Sequence, residues 1–188
     1  MASRVAKCAC GRVEVTVEGE PVQVYACHCD FCQRRSGSVF IASASFVEEQ
    51  VTSIAGETSC YNGLEVDGVG APGIPGGINF RFCTVCGSSM YLDLIYPPTG
   101  QRVFAIALGC FADPSFPPPT SELNTKFRPP WLPAIPGAHQ VPDALEDEGE
   151  SSWREADVAD GRADASLPIG AGRAAPERAS CVSGDTRR

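Results

Sequence analysis

Residues 12–17 read Arg-Val-Glu-Val-Thr-Val, so that Val13, Val15 and Val17 alternate with Arg12, Glu14 and Thr16. Successive side chains on a strand point to opposite faces, and this period of two predicts a strand with one face buried and one solvated. Outward from it, Glu-Gly-Glu-Pro at 18–21 supplies a turn. Residues 22–26 then read as a second strand and 39–44 as a third, with one helical turn at 46–50 and a weaker strand at 58–61. Strand signals resume at 78–82, 90–95 and 102–108. Seven or eight short strands with almost no amphipathic helix predict an all-β fold of packed antiparallel sheets.

Three segments carry no such period. Residues 62–77 are rich in Gly and Pro, which can neither hold a ladder nor continue a helix, and they predict a long exposed loop. Residues 114–119 and 128–136 are proline-rich but include Phe116 and Trp131, with Phe127 just ahead of the second, which predicts ordered coil wrapped over the sheet. From about residue 144 onward, Glu, Asp, Ser, Gly, Ala and Arg dominate. Such a composition buries too little apolar surface to offset its ordering entropy and predicts a disordered tail. The division expected is therefore a domain over 5–142 and an acidic tail over 143–188.

The net charge of −8 follows the same division: 143–188 holds 11 acidic and 6 basic residues, leaving 12 and 9 in the first 142. No basic stripe is present to hold a phosphate backbone, which argues against nucleic acid as a partner. No apolar run approaches the roughly 20 residues that span a bilayer. The opening Met-Ala-Ser-Arg-Val-Ala-Lys has no apolar core of a secretory signal, so a reducing, cytoplasmic setting is expected. Cysteines in that setting more often bind metal or react than form disulfides.

Seven of the 10 cysteines fall into three groups: Cys8 and Cys10, then Cys27, Cys29 and Cys32, then Cys83 and Cys86. Cys83-Thr-Val-Cys86-Gly87 has the spacing of a zinc knuckle, which supplies half a tetrahedron. Cys8-Ala-Cys10-Gly11 is its natural complement, because that pairing leaves the central trio intact. A closed four-thiolate site would be structural. The trio would then keep one open position, the pattern of a catalytic zinc that admits a soft ligand such as a thiol. Two other readings stay open: one ion on four of the seven thiols, and disulfides or an iron–sulfur cluster, for which the spacing of ferredoxins is missing.

Cys60 and Cys110 are expected as small buried apolar residues, and Cys181 as a free thiol in the tail. His28 lies between two of the thiols, but in an extended Cys-His-Cys its side chain points to the opposite face, which favours a packing or supporting role over ligation. His139 is expected on the surface. Arg34 and Arg35 follow the trio and are candidates to pair with an anionic thiol substrate, the alternative being two solvated charges.

Cys8-x-Cys10-Gly11, Cys27-His28-Cys29-x-x-Cys32-x-x-x-Ser36-Gly37-Ser38 and Phe82-Cys83-x-x-Cys86-Gly87-Ser88 resemble the glutathione-dependent formaldehyde-activating enzyme family, also called centromere-protein-V-like. Residues 107–114 (Ala-Leu-Gly-Cys-Phe-Ala-Asp-Pro) and 128–131 (Arg-Pro-Pro-Trp) are similar to that family's closing segments, so the resemblance spans about 5–142. It implies a β-tent of stacked antiparallel sheets. It also implies two zinc ions, a structural one on Cys8, Cys10, Cys83 and Cys86 and a catalytic one on Cys27, Cys29 and Cys32. The implied activity is that of a carbon–sulfur lyase condensing formaldehyde with glutathione to S-hydroxymethylglutathione. Two departures stand out: Ala9 occupies a place where the family usually has His, and the 62–77 loop is longer than expected. The alternative function is a zinc-stabilised binding module that holds glutathione or a protein without turnover.

Overall fold

A computed structural model of the chain describes residues 2–62, 76–96 and 99–144. Among them eleven strands form, β1 (Ser3–Lys7), β2 (Glu14–Glu18), β3 (Gln23–Cys27), β4 (Ile41–Val47), β5 (Val51–Ala55), β6 (Thr58–Asn62), β7 (Asn79–Cys83), β8 (Ser89–Ile95), β9 (Arg102–Ala107), β10 (Ser121–Leu123) and β11 (His139–Val141). One α-helix, α1 (Asp30–Ser36), and three short 3-10 turns complete the described elements. The strands make a three-stranded sheet, β1-β2-β5, and an eight-stranded one, β11-β10-β3-β4-β9-β8-β7-β6.

The alternation at 12–17 has the predicted result: Val13, Val15 and Val17 are each fully buried. With Ala6 and Cys8 they pack against Val24, Ala44, Phe46, Met90, Phe104 and Ile106, so the main core lies between the small sheet and one face of the large one. A second apolar cluster, including Tyr25, Cys27, Phe80, Leu92 and Val103, lies on the other face, where Cys32 and Phe31 of α1 join it. The all-β, stacked-sheet expectation is met. At one edge the pairing is not antiparallel, because β10 runs parallel to both β3 and β11.

Other expectations are corrected. The strands number eleven among the described residues, not seven or eight. The missed ones are β1, β5 and the three-residue β10 and β11; three residues are too few to show a period of two. The turn foreseen at 46–50 shrinks to a 3-10 turn at Glu48–Gln50, because Phe46 and Val47 belong to β4. Phe116 does pack on the core, but Phe127 is 43% and Trp131 69% exposed, so that coil presents its aromatic residues outward. Most of the 62–77 loop (63–75) and nearly all of the tail (145–188) lie outside the described residues.

Gly56 ties this architecture to the first thiol pair. It joins β5 to β6 at φ +87°, and a Cβ there would sit 2.0 Å from the carbonyl oxygen of Arg12. Arg12 lies in the turn that Cys8 closes by donating its amide to the Val13 carbonyl at 3.0 Å. Gly56→Ala is therefore expected to lower stability by roughly 1–3 kcal/mol, through the positive φ and the displaced turn together. A urea unfolding midpoint equal to that of the native protein would show that the turn yields freely.

Candidate functional site

Two turns of the same kind carry the four-thiol group. Cys8 follows β1 and Cys83 ends β7, and in each turn a glycine with φ near +70°, Gly11 or Gly87, donates its amide back to the cysteine carbonyl at 2.9 and 3.0 Å. Glycine adopts that left-handed conformation without a Cβ penalty. The turns also aim amides at sulfur: Val13 N donates to Cys8 Sγ at 3.2 Å and Val85 N to Cys83 Sγ at 3.4 Å. A bond from Ala9 N to Ser88 Oγ at 3.1 Å docks one turn on the other. This is what stands at the position where the family resemblance leads one to expect His.

The sulfurs of Cys8, Cys10, Cys83 and Cys86 all lie within 4.8 Å of one another, with Cys8 to Cys10 at 3.4 Å and Cys10 to Cys83 at 3.8 Å. Tetrahedral zinc with Zn–S bonds of about 2.3 Å sets its sulfurs about 3.8 Å apart, so the donor set fits such an ion. The thiols share charge unequally. Cys86 is pulled down to about 5, first by the Ser88 hydroxyl at 3.3 Å. At Cys10 the Arg12 backbone bond opposes the rise, but burial and the neighbouring sulfurs push it up to about 11. Four sulfurs at these distances cannot all be ionised unless a cation lies among them.

On the opposite face of the large sheet, β3 delivers Cys27 and α1 delivers the other two thiols. Cys29 caps the helix, accepting the Cys32 amide at 3.3 Å, and Cys32 stands three residues on, one turn above it on the same side. The helix stops at Gly37, left-handed at φ +70°, which donates its amide to the Gln33 carbonyl. The three sulfurs lie within 4.8 Å of one another, and no fourth protein ligand joins them among the described residues. Cys27 and Cys32 are buried, and Cys29 is the most accessible. Bonds from Cys27 and Cys32, then the amides of Cys32 and Phe31, hold Cys29 far below an ordinary thiol, while Cys27 is pushed up first by Cys29, and Cys32 first by Cys27 and then by Cys29, with burial adding to both.

His28 points away from this cradle. It is 1% exposed and its Nε2 lies 2.9 Å from Oε1 of Glu122, itself 1% exposed. Oε2 of Glu122 accepts from Arg128 Nη1 at 3.2 Å, the Ile135 amide at 2.9 Å and Gln140 Nε2 at 2.7 Å. The two arginines diverge. Arg34 is 80% exposed and pairs with Asp30 at 2.8 Å along the helix. Arg35 turns inward over the Phe80 ring at 4.5 Å and approaches Ser89 Oγ at 3.4 Å.

The remaining candidates sit elsewhere. His139 is exposed on β11. Cys110 is only half-buried, its Sγ set 3.4 Å from the Ser89 carbonyl and 3.8 Å from Met90 Sδ. Cys60 is likewise half-buried, on β6, and Cys181 lies outside the described residues. Glu122, Gln140 and Asn124 were not foreseen, and Arg128 entered only as the first residue of the Arg-Pro-Pro-Trp segment, with no role attached. The first three sit in short strands or coil with no period or spacing to mark them.

Fold and sites together define a β-sheet protein built around two thiol clusters, one of four sulfurs and one of three, each able to hold a metal ion. The chain belongs to the glutathione-dependent formaldehyde-activating enzyme family, whose model matches residues 3–126. The match takes in all seven clustered thiols but stops before the 128–131 segment that also suggested the resemblance. No curated protein matches the sequence significantly. Among the described residues no helix is long and apolar enough to cross a membrane.

The Glu122 network makes a prediction about acid. Burial pushes this carboxyl up, but bonds from Gln140, the Ile135 amide and His28, with the Arg128 charge, outweigh it and hold its pKa below the usual carboxylate range. A pKa lower in the folded chain than in the unfolded one adds stability above the unfolded value, about 4.3, and loses it as pH falls through the folded value. Glu122→Gln is expected to cost about 1–3 kcal/mol at pH 7, and its difference from the native protein should shrink below pH 4. Urea unfolding at the two pH values reads it; a gap that is the same at both would contradict the charged network.

Proposed function

We propose that the chain is a zinc-dependent carbon–sulfur lyase that joins a small aldehyde to a thiol of the glutathione type, giving an S-hydroxymethylglutathione-like product. The observation that carries this reading is the inequality of the two thiol clusters: Cys8, Cys10, Cys83 and Cys86 bring four sulfurs together, and Cys27, Cys29 and Cys32 only three. A closed set of four thiolates suits a structural zinc, and a set of three suits a catalytic one. Zinc held by the trio would supply an open Lewis-acid position at which an incoming thiol stays deprotonated near neutral pH. Family membership supports the same chemistry. The active domain in this reading is 5–142 and its setting the reducing cytoplasm, where thiol ligands persist.

The reaction needs no oxidant. A bond forms between the substrate sulfur and the aldehyde carbon, the carbonyl π pair becomes an oxygen lone pair, and the proton that leaves the thiol ends on that oxygen. The chain's part is to gather and orient. Cys29, the most accessible of the trio, is in this reading the thiol nearest the incoming substrate. In the same reading Arg35, lying along the Phe80 ring with Ser89 beside it, holds a carboxylate of the thiol substrate. Arg34, paired with Asp30 on an exposed side of the helix, is the weaker candidate.

Metal analysis and a hemithioacetal assay, corrected for the fast uncatalysed reaction, test this. The native protein should carry two zinc ions and exceed the background rate. Cys29→Ala should carry one and fall to background while keeping its fold. One zinc in the native protein, or equal rates in both, would replace the enzyme with the non-catalytic binding module. Arg35→Ala should raise KM for an anionic thiol roughly ten- to a hundredfold, the value of a charge-assisted bond of about 1.5–3 kcal/mol, with Arg34→Ala near native. The same increase with an uncharged thiol would show that Arg35 serves packing alone.

A further inference from the structure

Just after β10 the chain turns at Asn124, one of two non-glycine residues among those described with a left-handed backbone, at φ +57°. Asn tolerates that conformation better than most residues. Its backbone is fixed from both sides: the neighbouring Leu123 carbonyl accepts the His28 amide at 2.9 Å, and Asn124's own carbonyl accepts the Phe127 amide at 3.1 Å. Its side chain then has one orientation. Oδ1 accepts the Ala144 amide at 3.2 Å, which leaves Nδ2 to donate to Cys27 Sγ at 3.4 Å. The flipped amide would set an N–H against the Ala144 N–H and an oxygen against the sulfur, losing both bonds.

We propose that Asn124 is a positioning residue of the open thiol site, holding Cys27 and tuning it through an N–H···S bond. The inference rests on the reading of Cys27, Cys29 and Cys32 as metal ligands. Cys29 takes the first-turn amides of α1, whereas buried Cys27, at the end of a strand, has the Cys29 amide from its own loop and a carboxamide donor supplied from a distant part of the chain. A donor aimed at a thiolate stabilises its charge, eases its deprotonation and weakens its electron donation, leaving any ion it binds more electrophilic. The His28–Glu122 pair and the Leu123 carbonyl bond hold β10 against the cysteine loop, which keeps the donor within reach of the sulfur.

Cobalt(II) titration of the apoprotein tests this without relying on turnover. The native protein should bind two ions, and Cys29→Ala identifies the absorption bands of the trio. Asn124→Gly keeps the left-handed turn and deletes the donor. Asn124→Asp keeps the turn and an oxygen for Ala144 but sets a carboxylate beside the sulfur. Both should move the trio's sulfur-to-cobalt charge-transfer band to lower energy and weaken that site roughly ten- to a hundredfold, Asp more than Gly, with the four-thiol bands unchanged. Native bands and native affinity in both variants would overturn the proposal while leaving the enzyme reading intact. A native protein that binds two ions yet shows no rate above background would overturn the enzyme reading alone. Should either variant unfold, the native protein substituted with cadmium-113 decides: a through-bond coupling between the metal and the Asn124 carboxamide proton supports the bond, and its absence in a resolved spectrum refutes it.

Discussion

Sulfur atoms from residues 73 apart in sequence stand within 3.8 Å of each other at the Cys10–Cys83 contact, and much of the structure follows from what such a meeting requires. Ionised thiols at that distance repel, and neutral ones bind metal poorly, so the cluster settles into unequal protonation until a cation displaces the remaining protons. The two glycine turns make the approach possible by folding amides back toward sulfur, and Gly56 can press against the first of them only because it lacks a Cβ. A bound ion would thus cross-link the end of the small sheet's first strand to the β7–β8 turn, near the β6 edge of the large sheet. Small all-β domains form mostly non-local contacts and have little else to fix such a crossing.

The second cluster obeys the same electrostatics in a different mechanical setting. Its three sulfurs come from one short stretch, the end of β3 and the start of α1, so its formation needs no distant pairing. What a local cluster lacks is a rigid frame. The alternation of a strand supplies one: because Cys27 faces α1, His28 must face the other side, where Glu122 holds it. Supporting polar contacts and clustered sulfurs are therefore segregated by the pleat of β3, and His28 is kept away from the three thiols by the same geometry that makes it an anchor.

How much of this was legible follows from the range of each signal. Val13, Val15 and Val17 announce a buried strand because the period is local, and the seven thiols announce themselves by type and spacing, with the four-and-three division read from which pairs can complete one another. Arg34 and Arg35 looked equivalent in sequence; only the roll of α1 turns one to solvent and the other onto Phe80. Glu122 and Asn124 could not be found, since their roles depend on β10 lying parallel to β3, a pairing set by the path of the coil at 111–120 and not by any feature of Ser-Glu-Leu. Trp131 was misjudged for a related reason: large aromatics are usually covered, and nothing in Arg-Pro-Pro-Trp reveals that this one faces out.

The end of the family match at residue 126 falls between two layers of the site. All seven clustered thiols lie inside it, as do His28, Glu122 and Asn124, but Arg128, Ile135, Gln140 and Ala144, which satisfy Glu122 and orient Asn124, lie beyond it. Lys126 pairs with Asp143, and its amide meets the Pro142 carbonyl, so the chain after β11 returns to the turn that carries Asn124. A carboxylate as buried as Glu122 is tolerable only with its donors in place. Removing the segment after 126 would therefore leave every clustered thiol present while stripping the groups that hold two of their supports. The seven clustered thiols carry the capacity to hold metal, whereas the polar groups that brace the three-thiol cluster come in part from this returning segment, far in sequence from any of those cysteines.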